Sequence, residues 1–474
     1  MQYRWTLLST LLLVAGCAHV PPDAGFDAVQ QTVAARLDER IVWQRGGKED
    51  AEVAAHVDAL LAQPLTVDAA VQVALLHHRG LQAEYEQLGV AQADLVQAAL
   101  LKNPTLGWSR LSGGDIAKTT TGLELDFLGL LLARPRKAIA ALQFEHMQLN
   151  VSQSVLRHAL DTRKAWLEAV SAEQTVRFLS QVADLTGAEA ELAERQRRAG
   201  NLSRRDAMRQ QAFDLETDAA LEQARSEAVM ARERLARLMG VDAPHWRLPQ
   251  QLPTLPSALP VPGDLEAEGL AQRLDVAMAR KEVEVLAKAL QLTRDTRLVN
   301  VLDLGVETEK GSGERRITGP TLSLELPLFD QGQARVAAHE ARYRQGQARL
   351  AALSTEARSQ MREARQRMET AYRQSRRFQD HLVPLRRSIV EQSTLHYNGM
   401  LIGVYELLAD AREQIRAVQG HIAATRDFWI AVADLQLAVG GRLPEAYHLV
   451  AEPPALRPSD DDAVPQHTHG GHAP

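Results

Sequence analysis

Polar and apolar residues alternate along Thr321-Leu322-Ser323-Leu324-Glu325-Leu326, the period of a half-buried strand. Pro327 stands where a strand can end but not continue, and Gly332 lets the backbone change direction. From about Gln331 a helical period takes over and runs to Asn398, with Gly346 and Pro384 as its only strong breakers. A helix of that length spans about 100 Å at ~1.5 Å per residue, more than a compact domain needs. Its apolar positions step by threes and fours through Leu350, Leu353, Ala357, Ala364, Met368 and Ala371, as do Val404, Leu408, Ala411 and Ile415 beyond it. This is a seam of heptad type, in which alanine allows close approach.

The same plan occurs earlier in the chain. Strands are expected at about 105–111 and 119–127, joined by the turn Ser112-Gly113-Gly114-Asp115. A long helix from about Ala133 to Ala199 follows, with Pro135 in its first turn, then a break at Gly200-Asn201 and a helix to Met239. In the second half the strands fall at about 301–308 and 317–327, the break at Asn398-Gly399, and the last helix ends at Val439. A helix precedes each half, over 64–101 and 264–299. Asn103 answers to Asn300, Gly107 to Gly305, Gly122 to Gly319, Gly200 to Gly399 and Gly240 to Gly440, each pair 197 to 200 positions apart. The chain therefore carries an internal duplication, with repeats at 64–240 and 264–441. Around them lie an irregular or weakly helical segment (17–63), a proline-rich connector (241–263) and a C-terminal tail (442–474). The expected fold is mainly α with a small β part: a strand hairpin and a long coiled-coil helical hairpin, each present twice.

The four strands set apolar residues against Thr, Ser, Asp and Glu. Leu302, Leu304 and Val306 take one face of their strand, Asp303 and Glu307 the other. A barrel strand divides lipid from a wet lumen in this way. A sheet edge in lipid leaves unpaired amides, so membrane strands must close, and single-chain barrels begin at about eight strands. Four strands per chain thus call for several chains sharing one barrel. The soluble alternative, two isolated hairpins lying on the coiled coil, leaves Leu302, Leu304, Val306, Leu322, Leu324 and Leu326 exposed.

Composition narrows the reading further. The chain has 474 residues, 45% hydrophobic but only 4% aromatic, which suits long helices packed through small residues rather than ordinary globular domains. A net charge of −6 without a basic patch speaks against a nucleic-acid partner. Past the amino end no apolar run is long enough for a membrane-crossing helix. That end itself, Met1 to Gly16, has one cation (Arg4), an apolar core and small residues, a secretory signal over 1–16. The single cysteine, Cys17, closes the run Leu13-Val14-Ala15-Gly16-Cys17, which resembles a bacterial lipobox. The alternatives are an acylated Cys17 that tethers the protein, and an ordinary signal peptide followed by an incidental cysteine.

Leu326-Pro327-Leu328-Phe329-Asp330 with its Gly-centred polar turn, Asn103-Pro104-Thr105-Leu106 and Tyr397-Asn398-Gly399 together resemble the TolC-type outer-membrane factors, over about residues 60 to 445. The resemblance, to the lipoprotein and heavy-metal efflux branch, implies a homotrimer whose twelve strands form one outer-membrane barrel and whose helices form a periplasmic tunnel. It further implies a passive duct with no resident cofactor beyond the lipid on Cys17. Its partners would be a periplasmic membrane-fusion adaptor, an inner-membrane RND-type pump and outer-membrane lipid. The first repeat departs from the motif, reading Leu125-Asp126-Phe127-Leu128-Gly129. Tyr405 and Leu408, beside Glu406, stand where family members often carry tip aspartates.

Two regions are candidate sites. The tips, around Gly200, Arg204 and Asp206 and around Gly399, Tyr405 and Glu406, would meet the adaptor and constrict the pore, with Arg204, Asp206 and Glu406 available for ion pairs. The bland alternative is glycines that only turn the chain and charges that are solvated. The tail carries His467, His469 and His472 after three aspartates, a composition that can hold copper or zinc transiently or serve only as a polar extension. His77 and His78 point about 100° apart on a helix, unsuited to a shared metal. No nucleotide loop, Cys–His cluster or nucleophile motif suggests an enzyme. Three functions remain open: a duct for heavy-metal cations, the same duct for drugs or organic solutes, and a periplasmic coiled-coil scaffold.

Overall fold

The computed structural model describes residues 20–114, 116–242, 246–259, 265–313 and 315–443. Cys17 and the histidines at 467, 469 and 472 lie outside the described residues. Four helices come first: α1 (Phe26–Ala34), α2 (Lys48–Leu61), α3 (Val67–His77) and α4 (Arg79–Ala99). The first repeat continues with β1 (Thr105–Gly113), β2 (Ile116–Asp126), α5 (Phe127–Arg198) and α6 (Arg204–Met239). The second holds α7 (Leu265–Gln272), α8 (Leu274–Thr296), β3 (Leu302–Gly311), β4 (Ile317–Leu324), α9 (Gln333–Arg377), α10 (Val383–Asn398) and α11 (Val404–Ala438). A π-helical turn, Phe378–Leu382, joins α9 to α10 just ahead of Pro384. There the helix continues without the break that a proline would otherwise impose.

Several boundaries differ from the sequence expectation, each for a local reason. Phe127 opens α5 instead of closing β2, because the Asp126 carboxylate accepts the Gly129 N–H at 2.6 Å and caps the helix at once. Pro135 consequently lies inside α5 rather than in its first turn. β4 ends at Leu324, not 327: beyond the Glu325 N–H bond to Val301 at 3.4 Å the chain turns tightly, Leu328 N–H donating to the Leu326 carbonyl. Gly332 caps α9 with φ 74°, and a Cβ there would stand 2.8 Å from Arg297 Cβ.

The helix expected over 64–101 is two, broken at His78, and that over 264–299 breaks at Arg273. The two breaks are related by the duplication. Gly240 (φ 71°) lies against the first, where a Cβ would stand 3.0 Å from His78 Cα; Gly440 (φ 95°) lies against the second, where a Cβ would stand 2.9 Å from Arg273 N. The glycine pair seen in the sequence thus lets each return helix end directly on a kink.

Segment 20–63 and the connector wrap the helices at mid-length. Trp246, Leu248 and Leu252 pack with Trp166, Leu235 and Met239. Phe26 stacks edge-on against Tyr85 at 5.0 Å. The Trp166 and Trp429 indoles donate to the carbonyls of Leu65 and Pro253. The buried core sits here and along the seam, which leaves the sheet at one end and the helical tips at the other to be explained by something outside the chain.

Candidate channel wall and gate

The strands form one antiparallel sheet in the order β1-β2-β3-β4, so both repeats contribute a hairpin and β1 and β4 are open edges. Its register aligns the two faces across all strands. Leu106, Leu123, Val306 and Pro320 form one row, and Leu125, Leu304 and Leu322 the next. On the other face Asp126 lies opposite Asp303 and Ser323, with Glu124 beside Gly305 and Gly122 beside Glu307. Lys118 is the cation on that face of β2, and it pairs with Glu309 at 2.8 Å. Carboxylates therefore dominate one side and aliphatic groups the other.

The apolar side is uncovered. Trp108 is 67% exposed, and at the base of the sheet Leu328 and Phe329 are exposed too, Phe329 to 95%. Leu100, Leu101, Leu130, Leu131 and Leu298, at the adjoining helix ends, are exposed as well. An apolar surface of this extent on a protein marks a contact with lipid or with another chain.

Away from the sheet, the tips close each helical hairpin. Ser203 caps α6, its hydroxyl accepting the Asp206 N–H at 3.1 Å while donating to the Asp206 carboxylate at 2.6 Å. Asp206 also meets Arg209 at 3.4 Å. Gly200 takes the left-handed conformation, φ 79°. At the second tip that conformation falls on Met400, φ 60°, and not on Gly399. The hydrogen bonds agree: Asn201 N–H reaches back to Gln196 and Leu401 N–H to His396. Gly200 therefore corresponds structurally to Met400, two hundred positions on. Sequence matching assigned the role to the nearest glycine.

The two hairpins are joined by side chains from different repeats. Arg209 of α6 lies over the Tyr405 ring at 4.9 Å. Arg412 of α11 lies over Phe213 at 4.9 Å and pairs with Glu216 at 2.9 Å. Neither Arg204 nor Glu406 has an ion-pair partner among the described residues, and Asp206 serves its own helix. Arg209, Phe213, Glu216 and Arg412 carry no local sequence signal, since each meets its partner across some 200 residues of chain. Leu408 is 4% exposed and faces an inter-hairpin cavity of about 520 Å³, which Phe178, Phe213, Val390 and Tyr397 also line.

No family model matches the chain. The cobalt-zinc-cadmium resistance protein CzcC of Cupriavidus metallidurans is 24% identical over 277 residues, 57% of this chain and 65% of that protein's length. A membrane protein from Pseudomonas aeruginosa superposes with a TM-score of 0.69 at 18% identity, over 79% of this chain and 93% of that one. The Campylobacter jejuni outer membrane channel CmeC gives 0.68 at 14% identity, over 79% and 85%. The fold is that of a TolC-type outer-membrane factor.

Within this TolC-type fold the mid-length region holds two titratable clusters. His78, at the α3–α4 break, does not pair with His77 but stacks on His158 at 4.3 Å, and His158 Nε2 donates to the Leu238 carbonyl at 2.9 Å. Burial, with the neighbouring His78 second, pushes His158 down to about 4. Among the described residues no group of three or more His, Cys, Asp or Glu is placed to hold a metal.

The second cluster lines a cavity of about 720 Å³ between segment 35–39, α3, α5 and α11. There burial first, then the Asp68 charge, pushes Glu39 up to about 7, with Arg163 opposing. A carboxyl raised in the folded state stabilises the fold below its ordinary value of 4.5, and that contribution is lost as pH climbs through the folded value. His158, pushed down, acts in the opposite sense over the acid part of this range, so the effect is read as a difference: in thermal melts between pH about 5 and 8, Glu39→Gln should gain stability relative to the wild type as pH rises. Equal slopes for the two proteins would show that Glu39 is solvated.

Proposed function

We propose that this chain is the outer-membrane channel of a tripartite efflux system, a homotrimer that conducts solutes passively after an inner-membrane RND-type pump and a periplasmic adaptor deliver them. The two-faced sheet carries the proposal. Its apolar side suits lipid, its acidic side suits a water-filled lumen, and its two open edges cannot remain unpaired in a bilayer. Three copies supply twelve strands, within the range of closed outer-membrane barrels. The long helical hairpins then extend into the periplasm, and an acylated Cys17 anchors the amino end.

The cargo favoured is heavy-metal cations. Glu124, Asp126, Asp303, Glu307 and Glu309 stand on the wet side against Lys118, paired with Glu309, and Lys102, paired with Asp126 at 3.2 Å, and this acidic excess gives the lumen a field that concentrates cations. The resemblance to CzcC, named for cobalt, zinc and cadmium resistance, points the same way. The tail histidines at 467, 469 and 472 would add weak, transient copper or zinc ligands.

Planar-bilayer recording on the purified protein tests the reading. A cation-selective conductance is expected, and Glu124→Gln, Asp303→Asn and Glu307→Gln together should lower the cation-to-anion permeability ratio by about an order of magnitude at low salt. No conductance would remove the channel. An anion-selective conductance would remove the metal cargo while leaving the duct.

A further inference from the structure

The apolar side of the sheet ends abruptly in charge. Moving from the helices towards the hairpin turns, the rows on that side run Leu125–Leu304–Leu322, then Leu123–Val306–Pro320, then Trp108–Thr121–Thr308–Thr318. The next row is Arg110, Thr119 and Lys310. Arg316, one residue ahead of Ile317 at the start of β4, falls by alternation on the same side and beside Lys310. Arg110, Lys310 and Arg316 are all exposed. None of the three has a hydrogen-bond or ion-pair partner for its side chain among the described residues. The cation on the opposite face is treated differently: Lys118 is held by Glu309.

We propose that Arg110, Lys310 and Arg316 form a girdle that binds the phosphate groups of an anionic glycolipid in the outer leaflet. The proposal rests on the barrel reading above, which puts the helices in the periplasm and the hairpin turns outside. Trp108 sits one row below the cations, where an amphipathic indole belongs at a membrane–water boundary. Long Lys and Arg stems can lie along the apolar surface while their heads reach headgroup level. Adjacent strands lie ~4.8 Å apart, so the row spans about 15 Å across the sheet, and repetition in three copies would ring the barrel. Lipid phosphate is the occupant because the row faces the apolar side. A soluble anion would meet these cations only at the rim of a surface that water avoids.

The test compares the full-length protein with the variant Arg110→Ser, Lys310→Ser, Arg316→Ser. Both are reconstituted in vesicles of zwitterionic phospholipid doped with bisphosphorylated lipid A or with its dephosphorylated form. After mild extraction, glycolipid retained per trimer is counted by mass spectrometry, and conductance is recorded from the same vesicles. The wild type should retain the phosphorylated form at least about fivefold better than the dephosphorylated one, and the variant should conduct normally but lose that preference. Equal retention of both forms by the wild type, or an undiminished preference in the variant, overturns the girdle. Displacement of the glycolipid by excess inorganic phosphate overturns its assignment to lipid. Failure of the wild type to conduct falls instead on the channel reading, so the two failures are told apart.

Discussion

Leu304→Arg should abolish trimer assembly in the membrane, whereas Glu307→Gln, three residues along the same strand, should leave it intact. Leu304 lies in the middle of the apolar side, between Leu125 and Leu322. Arginine on the lipid face of a barrel at mid-depth costs about 2–4 kcal/mol per copy, and a trimer carries three copies. The same substitution discriminates between the channel and a periplasmic scaffold. Leu304 is already 40% exposed in the single chain, and a change at a solvated site typically shifts stability by no more than about 0.5 kcal/mol. Outer-membrane fractions probed for an SDS-resistant trimer read the outcome. A Leu304→Arg protein that still forms trimers would mean that this face of the sheet never meets lipid.

Removing the contacts between the hairpins should open the tip. Arg209→Ala with Arg412→Ala eliminates both cation–π contacts and the Glu216 ion pair. Exposed cation–π contacts contribute about 0.5–1 kcal/mol and exposed ion pairs about 0–1, so each subunit loses about 1–3 kcal/mol of latch. Three subunits losing this together should raise single-channel conductance several-fold. Arg204→Ala with Glu406→Ala should change it little, because neither charge is paired within the chain. The reverse ranking of the two double variants would return the latch to the charges nearest the turn. The cost to overall stability should be small, since the two large buried clusters hold other residues, around Trp166 and Trp246 and around Met361 and Phe428.

Much of this architecture is legible in one dimension because its governing rules are local. Alternation along 301–308 and 317–324 marks strands, and a heptad seam marks the coiled coil. Proline and glycine mark most of the boundaries. Local rules also account for the errors. Phe127 looked like a strand residue because the apolar run around it is ambiguous, and the Asp126 cap decided for helix. The kinks at His78 and Arg273 were invisible because nothing at those positions breaks a helix; each is held by a glycine on a return helix more than 160 residues away. At the second tip the hydrogen-bonding pattern of the helix end outweighed residue preference, placing Met400 in a conformation usually left to glycine.

Residue order alone established the duplication, the strand faces and the long helices, since periodicity and turn chemistry act over a few residues at a time. Folding settled which distant groups meet: Arg209 with Tyr405, Arg412 with Phe213 and Glu216, and four strands from two repeats in a single register. The physical reason is that a periodic pattern states which side of an element is apolar but carries no information on what will cover it. That is decided only when elements hundreds of residues apart are packed, hydrogen-bonded and oriented together.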